Sequence, residues 1–168
     1  MLRRLFLVGV LAGMALACSE SNRLVNPPAP GMAVVSMSAT QSTYRVGDTV
    51  TVEVRIDNAA NVGSVPFHLR YDASVLQFAP PATEGPFMNL DGASTVFLVT
   101  DAGSEIIVGI SRLSAPRGAD GSGVLLQVDF DAIAPGDARL GFSGASVKDP
   151  LAANLPATFN VEAVTIQP

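Results

Sequence analysis

Few side chains in this sequence are suited to acid–base or nucleophilic chemistry. The chain has one histidine, His68, and one cysteine, Cys18. A catalytic histidine needs a nucleophile and an orienting partner, and the residues around His68 nominate neither. Asp129 and Asp131 are two residues apart on a predicted strand, so both carboxylates face solvent instead of converging on an ion. The sequence therefore predicts a protein that is not an enzyme, with no metal site and no cofactor.

The beginning of the chain has the layout of a bacterial secretory signal. Arg3 and Arg4 precede an uncharged apolar stretch, residues 5–17, which is too short to remain as a membrane-spanning helix. Small residues lead into Cys18, and this pattern resembles a lipobox. The resemblance implies cleavage before Cys18 and lipidation of its thiol, which would anchor the mature chain to the cell envelope. We therefore expect residues 1–17 to be a lipoprotein signal peptide, with ordinary secretion as the alternative.

The mature chain is acidic and starts with a proline-rich segment. Without residues 1–17, eight Lys and Arg oppose 15 Asp and Glu, which gives a net charge of −7. Binding of phosphate groups needs a basic surface, so this charge argues against a nucleic-acid partner. Residues 18–32 contain three prolines and little to bury, which predicts a flexible tether. Ser19, directly after the cysteine, favours the outer membrane in a bacterium that has two membranes.

Residues 33–168 show the alternation of half-buried β-strands. The inward-facing residues of the two clearest strands are predicted to be Val50, Val52, Val54 and Ile56 in one, and Val65, Phe67, Leu69 and Tyr71 in the next. Pro66 lacks an amide hydrogen, so its position is predicted at a sheet edge or a bulge. About nine such runs, separated by Gly, Pro, Asn and Asp, predict an all-β fold, and their spacing favours a β-sandwich.

The order and spacing of these strands and turns resemble the cohesin domain, the module that binds dockerins in cellulosome scaffolds. The likeness covers residues 34–166, and the matching motifs lie at residues 44–50, 56–59, 67–72, 75–76, 121–125, 130–132 and 145–149. It implies a jelly-roll β-sandwich of about nine strands. It also implies that one flat sheet face docks a protein, a dockerin-like module or another, in an extracytoplasmic assembly linked to polysaccharide breakdown.

The resemblance also implies which residues meet that partner. In this family, outward residues of the strand that matches residues 64–70 help to contact the dockerin. By position these residues are Ser64, Pro66, His68 and Arg70. The strand phase predicts Leu125 as a further exposed apolar residue of the partner-binding face, and it predicts Val164 and Ile166 outward while Phe159, Val161 and Ala163 face the core.

A carbohydrate-binding module that captures polysaccharide directly is the alternative function. Such modules usually stack sugar rings on exposed Trp or Tyr side chains. This chain has no Trp and two Tyr. Tyr71 is predicted to face inward and Tyr44 precedes a turn, which weakens this alternative but leaves a hydrogen-bonded sugar site open.

Overall fold

The structure is a computed structural model that describes residues 31–113 and 116–168. In chain order its strands are β1 (Ala33–Ala39), β2 (Thr43–Arg45), β3 (Thr49–Val62), β4 (Ser64–Arg70), β5 (Leu76–Glu84), β6 (Thr95–Asp101), β7 (Glu105–Arg112), β8 (Ala119–Ala132), β9 (Gly136–Ser143), β10 (Val147–Lys148), β11 (Asn154–Leu155), β12 (Ala157–Asn160) and β13 (Glu162–Gln167). Within the described ranges, nine of these strands have six or more residues. A 3-10 turn, Pro86–Asn89, lies between β5 and β6.

Some of the sequence predictions fall on residues outside the described part of the chain. These are the signal peptide at residues 1–17, the lipidated Cys18, and all but the last two residues of the tether at 18–32. Among the residues that the structure does describe, no helix has the length and apolar character needed to cross a membrane.

The strands form two sheets. The first sheet has the order β12-β1-β3-β8-β5. In the second sheet β4 is central: β7 pairs with it along one side and β6 pairs with the far side of β7. On the other side of β4 lie β9 and β10, and the sheet continues from β9 to β13 and β2 and from β10 to β11. The predicted all-β jelly-roll sandwich is confirmed.

The core lies between the two sheets, where the alternating residues of each sheet meet. The predicted inward residues of β3 and β4 are all buried. The rings of Tyr71 and Phe78 pack against Phe130 on β8, with centroid distances of 5.0 and 6.2 Å. Because each fully buried large apolar side chain stabilises a fold by roughly 1.5–3 kcal/mol, this interior holds the domain together without a disulfide.

The predicted outward orientation of Leu125 is wrong. Val54 on β3 is opposite Leu126, whereas the next residue, Arg55, is opposite Val124, so Leu125 is the extra residue of a β-bulge. The bulge interrupts the alternation, and Leu125 and Leu126 are both buried, each with 0% exposed surface. Leu125 also lies in the first sheet, so it cannot share a face with the candidate residues of β4.

The predicted phase of the last strand is also wrong. Val164 and Ile166 are buried, while Val161 is 70% exposed. The physical reason is a change of sheet: β12 ends at Asn160 in the first sheet, and β13 begins at Glu162 in the second. A strand that crosses from one sheet to the facing one must turn its opposite side to the core, so the alternation reverses at Val161.

The Tyr71 hydroxyl group stabilises the turn between β6 and β7. It donates a hydrogen bond to the carbonyl oxygen of Gly103 at 3.0 Å and lies 3.5 Å from Oδ1 of Asp101. Asp101 Oδ1 also accepts a hydrogen bond from the backbone N–H of Gly103 at 2.8 Å. Burial, and then the nearby Asp101 carboxylate, raise the pKa of Tyr71 above its ordinary value.

This shift predicts a loss of stability at alkaline pH. The folded state favours the protonated phenol, so the contribution of Tyr71 is complete below its unfolded pKa of about 10 and is lost as the pH rises through the folded pKa. In urea unfolding between about pH 8 and 11, we expect the free energy of unfolding to fall more steeply for the wild type than for Tyr71→Phe. Parallel pH dependences would contradict this assignment.

Candidate partner-binding face

The outer face of β6, β7, β4 and β9 is the candidate functional site. Residues opposite one another in neighbouring strands share a face of the sheet, and the buried residues of β4 are Val65, Phe67 and Leu69. The alternate residues therefore point outward. We call this surface the docking face, and its outward residues are Val96, Leu98 and Thr100 on β6; Glu105, Ile107, Gly109 and Ser111 on β7; Ser64, Pro66, His68 and Arg70 on β4; and Gly141 and Ser143 on β9.

The middle of the docking face is apolar and open. Leu98, Gly109 and Pro66 form one row across three strands. Ile107 lies in the neighbouring row, opposite His68. Leu98 is 63% exposed and Ile107 is 40% exposed, and the space above the Cα of Gly109 contains no other atoms within 4 Å of a Cβ position. Exposed apolar side chains grouped on one sheet face mark a surface that another macromolecule can cover.

One end of the docking face is charged. His68 Nδ1 and Glu105 Oε1 lie 3.3 Å apart, which makes an ion pair whenever the imidazole is protonated. Arg70 is opposite Glu105 in the register and is exposed. Polar groups at the border of an apolar patch give a protein interface its orientation and its selectivity. The sequence prediction brought Ser64, Pro66, His68 and Arg70 together correctly on one outward face.

Pro66 occupies a break in the hydrogen bonding of the sheet. It does not lie at a sheet edge, because β4 has partner strands on both sides. The register agrees with the other predicted position, a bulge, since Ser64 is opposite Lys148 and His68 is opposite Ser143, which leaves one extra residue in the partner segment across from Pro66. On one side β9 pairs with residues 68–70 and β10 pairs with Ser64, so neither strand reaches Pro66. The carbonyl oxygen of Pro66 accepts a hydrogen bond from the Ser146 N–H at 3.1 Å. The break needs no donor at residue 66, which is why a proline fits in an interior strand.

The comparisons with known proteins agree with this architecture. Residues 35–150 match the family model of the cohesin domain. This chain belongs to the cohesin domain family. Among curated proteins, none matches the sequence of this cohesin domain.

Solved cohesins share its fold at low sequence identity. A non-cellulosomal cohesin from the hyperthermophilic archaeon Archaeoglobus fulgidus is 22% identical with a TM-score of 0.68, over 82% of this chain and 92% of that one. Another is the sixth cohesin of scaffoldin B from Acetivibrio cellulolyticus, solved in complex with a Cel5 dockerin. It is 17% identical with a TM-score of 0.65, over 81% of this chain and 99% of that one. A type II cohesin domain from the cellulosome of the same organism is 16% identical with a TM-score of 0.66, over 80% and 95%.

The Arg112 side chain fastens the 3-10 turn of this cohesin domain to the end of β7. The side chain is only 4% exposed, and its guanidinium group donates to the Met88 carbonyl oxygen at 2.8 Å and to Asp91 Oδ2 at 2.5 Å. The hydrogen bond from Arg112 lowers the pKa of Asp91. These contacts hold the segment before β6 in place, and β6 carries Leu98 into the docking face.

Gly63 fixes the other end of β4. Its N–H donates to the Lys148 carbonyl oxygen at 2.7 Å, and its carbonyl oxygen accepts from the Arg112 N–H at 2.9 Å. A Cβ atom on residue 63 would lie 2.6 Å from backbone atoms of Asp149 and Pro150. The close backbone approach therefore requires glycine.

Gly63→Ala is expected to lower the free energy of unfolding by about 1–3 kcal/mol, since the Asp149 backbone must move to admit a methyl group. Chemical denaturation measures the loss, and Gly109→Ala serves as the control because a Cβ there meets open space. Equal effects of the two substitutions would show that crowding at Gly63 is not the cause.

The sequence prediction missed Leu98 and Ile107. Both lie in runs of consecutive apolar residues, 96–99 and 106–108, in which no alternation separates the core side from the solvent side. The pairing of β7 with β4 supplies the missing phase, because Ile107 must share a face with the polar His68, and the pairing of β6 with β7 then places Leu98 on the same face. Within the described ranges, no group of three or more His, Cys, Asp or Glu side chains comes close enough together to hold a metal ion.

Proposed function

We propose that this cohesin domain is a non-catalytic module that docks a protein partner on its docking face. The observation that carries the proposal is the exposed pair Leu98 and Ile107 on the neighbouring strands β6 and β7, bordered by His68, Glu105 and Arg70. Covering the apolar centre supplies the favourable free energy of association. The charged end supplies the orientation, because a correctly placed partner offers it complementary charges and hydrogen bonds.

A dockerin-like module is the partner class that we propose. Several cohesins of the same fold have been solved with dockerins, among them the complex of a CaDoc0917 variant with CaCohA2, in which the cohesin is 20% identical to this chain with a TM-score of 0.68 over 81% of this chain and 100% of that one. Without residues 1–17 the net charge is −7, which favours a partner that presents basic groups.

The proposed setting is an extracytoplasmic assembly for polysaccharide breakdown. In this proposal residues 1–17 direct export, Cys18 carries the lipid, and residues 18–32 hold the module at 33–168 away from the cell envelope. The mass of the protein purified from its host membranes tests the anchor. A chain that begins at Cys18 and carries acyl groups supports the proposal, and an unmodified chain in the medium supports ordinary secretion instead.

Direct polysaccharide capture is the weaker proposal. Tyr44 and Tyr71 are both buried in the core, so neither offers an exposed ring on which a sugar can stack. Electrophoresis through gels that contain soluble polysaccharide separates the two functions. Retardation of the chain in such gels, with no protein partner captured, would replace docking by carbohydrate binding.

The test of docking is capture of the partner in the native host. The full chain carries a C-terminal affinity tag, and co-purified proteins are identified by mass spectrometry. His68→Ala/Arg70→Ala should reduce the recovered partner roughly 10- to 100-fold, because both side chains border the apolar centre. Arg55→Ala/Gln127→Ala, which changes one arginine and one neutral polar residue on the first sheet, is the matched control. Equal recovery with the two double variants would contradict the proposed face.

A further inference from the structure

One edge strand, β6, lacks the features that prevent the other sheet edges from pairing with a further strand. The outermost strands of the two sheets are β12 and β5 in the first and β6, β11 and β2 in the second. Three of them, β12, β11 and β2, have only four, two and three residues, and β5 contains Pro80 and Pro81. Short strands and prolines are the usual means of blocking edge-to-edge pairing. β6 has seven residues with no Pro, Gly or Lys, and within the described ranges it pairs only with β7.

The hydrogen bonds at the two ends of the β6–β7 pair show which backbone groups are free. The Leu113 N–H donates to the Ser94 carbonyl oxygen at 2.8 Å, and the Ala102 N–H donates to the Glu105 carbonyl oxygen at 2.9 Å. In an antiparallel pair the hydrogen-bonded positions alternate, so the even-numbered residues of β6 bond to β7. The N–H and C=O groups of the odd-numbered residues point to the open edge, and these residues are Thr95, Phe97, Val99 and Asp101.

We propose that two copies of this chain pair antiparallel through β6 and form one continuous sheet across both molecules. The two-fold axis passes through Leu98, which places Phe97 opposite Val99 of the second copy and Thr95 opposite Asp101 of the second copy. Odd residues then face odd residues, so all the free backbone groups of β6 find partners. No shift is needed to obtain this match, because the strand is centred on Leu98.

The side chains of β6 agree with the same register. Leu98, the most exposed apolar residue of the strand, faces its own copy across a non-hydrogen-bonded pair with a Cα separation of about 4.5 Å. Asp101 is the only charged residue of β6. The two Asp101 carboxylates lie at opposite ends of the paired strands, about 20 Å apart at 3.4 Å per residue, so they do not repel each other strongly. No side chain of β6 favours a strand from an unrelated protein, so pairing with a second copy is favoured.

Pairing extends the second sheet sideways, so it leaves the β7 and β4 parts of the docking face open. The pairing uses Leu98 of the docking face and leaves Ile107, His68 and Arg70 free to meet a partner. It predicts that the docking faces of the two copies lie side by side on one sheet, with Ile107 of the two copies about 20 Å apart.

Cysteine cross-linking of the full chain in its host membranes tests this register. Leu98→Cys should give a disulfide-linked dimer under mild oxidation, since the expected Cα distance suits a disulfide. We expect at least about ten times more dimer than with Ile107→Cys, which lies on the same face but too far from its copy. Val96→Cys and Thr100→Cys should each give little dimer, whereas the double variant should give much, because residue 96 faces residue 100 of the second copy.

The wild-type chain, with Cys18 as its only cysteine, gives the background. Dimer formation by Leu98→Cys and by the double variant, above the single controls, supports the proposal. Equal cross-linking by all single variants would show random collision and would overturn it. The same holds for a Leu98→Cys chain that stays monomeric.

Discussion

Replacing Ile107 with aspartate is expected to weaken partner binding at least about 100-fold while the domain stays folded. Ile107 lies in the apolar centre of the docking face, opposite His68 and next to the row that holds Leu98 and Gly109. A carboxylate there removes the apolar contact of Ile107, and binding must strip its water at a position where the partner is fitted to an apolar side chain, which costs several kcal/mol. Because the Ile107 side chain is partly exposed in the free domain, the fold itself does not bury the new charge.

The matched control for this prediction is Ile133→Asp. Ile133 is 44% exposed, close to the value for Ile107, but it follows β8 and lies outside the four strands of the docking face. The same chemical change should therefore leave the affinity within about threefold of the wild type. Calorimetric titration with the captured partner measures both variants. Similar losses for both would place the binding surface elsewhere.

The second large effect is expected on stability, at Leu125. Leu125→Ala should lower the free energy of unfolding by about 2–5 kcal/mol, because it removes buried methyl groups and leaves a cavity between the sheets. Val161→Ala should change it by less than about 0.5 kcal/mol, since the side chain is mostly in solvent. Denaturant unfolding of the two variants makes the comparison.

The strand alternation of the sequence predicts the opposite order for these two residues. It places Leu125 outward and Val161 inward. The stability losses of the two variants therefore show whether the alternation continues or is interrupted by the bulge and the change of sheet. A larger loss for Val161→Ala than for Leu125→Ala would contradict the described structure at both positions.

The sequence was sufficient for the parts of the fold in which the period of two runs without interruption. β3 and β4 were predicted correctly because their apolar residues alternate with polar ones over their central stretches, and this alone gives the buried side. The positions of Ser64, Pro66, His68 and Arg70 on one outward face follow from that regularity. The family likeness then predicted which of the two outer faces contacts a protein partner.

The errors arose where a single residue interrupts the period. The extra residue at Leu125 and the connecting residue at Val161 each shift the alternation by one position. A shift by one position exchanges the buried and the exposed residues of that stretch. The omission of Leu98 and Ile107 has a different cause. Their runs are apolar on both sides, so only the pairing partner of each strand determines which side faces solvent, and such long-range register is not contained in a local pattern.

The two outer faces of the sandwich differ in a way that supports the docking proposal. On the first sheet the outward polar groups bind each other: Thr51 donates to Asp129 at 2.6 Å, and Arg55 donates to Asp57 at 3.1 Å. On the second sheet Leu98 and Ile107 are exposed. A face whose polar groups already have partners gains less from association than an apolar one.

Side-chain footprinting of the complex shows whether the partner covers the docking face. Hydroxyl radicals oxidise exposed side chains, and mass spectrometry compares each residue in the free protein and in its complex with the captured partner. Docking on this face predicts strong protection of Ile107 and His68, with unchanged oxidation of Ile133 and Val161. Unchanged oxidation of Ile107 and His68 in a saturated complex would contradict docking on this face.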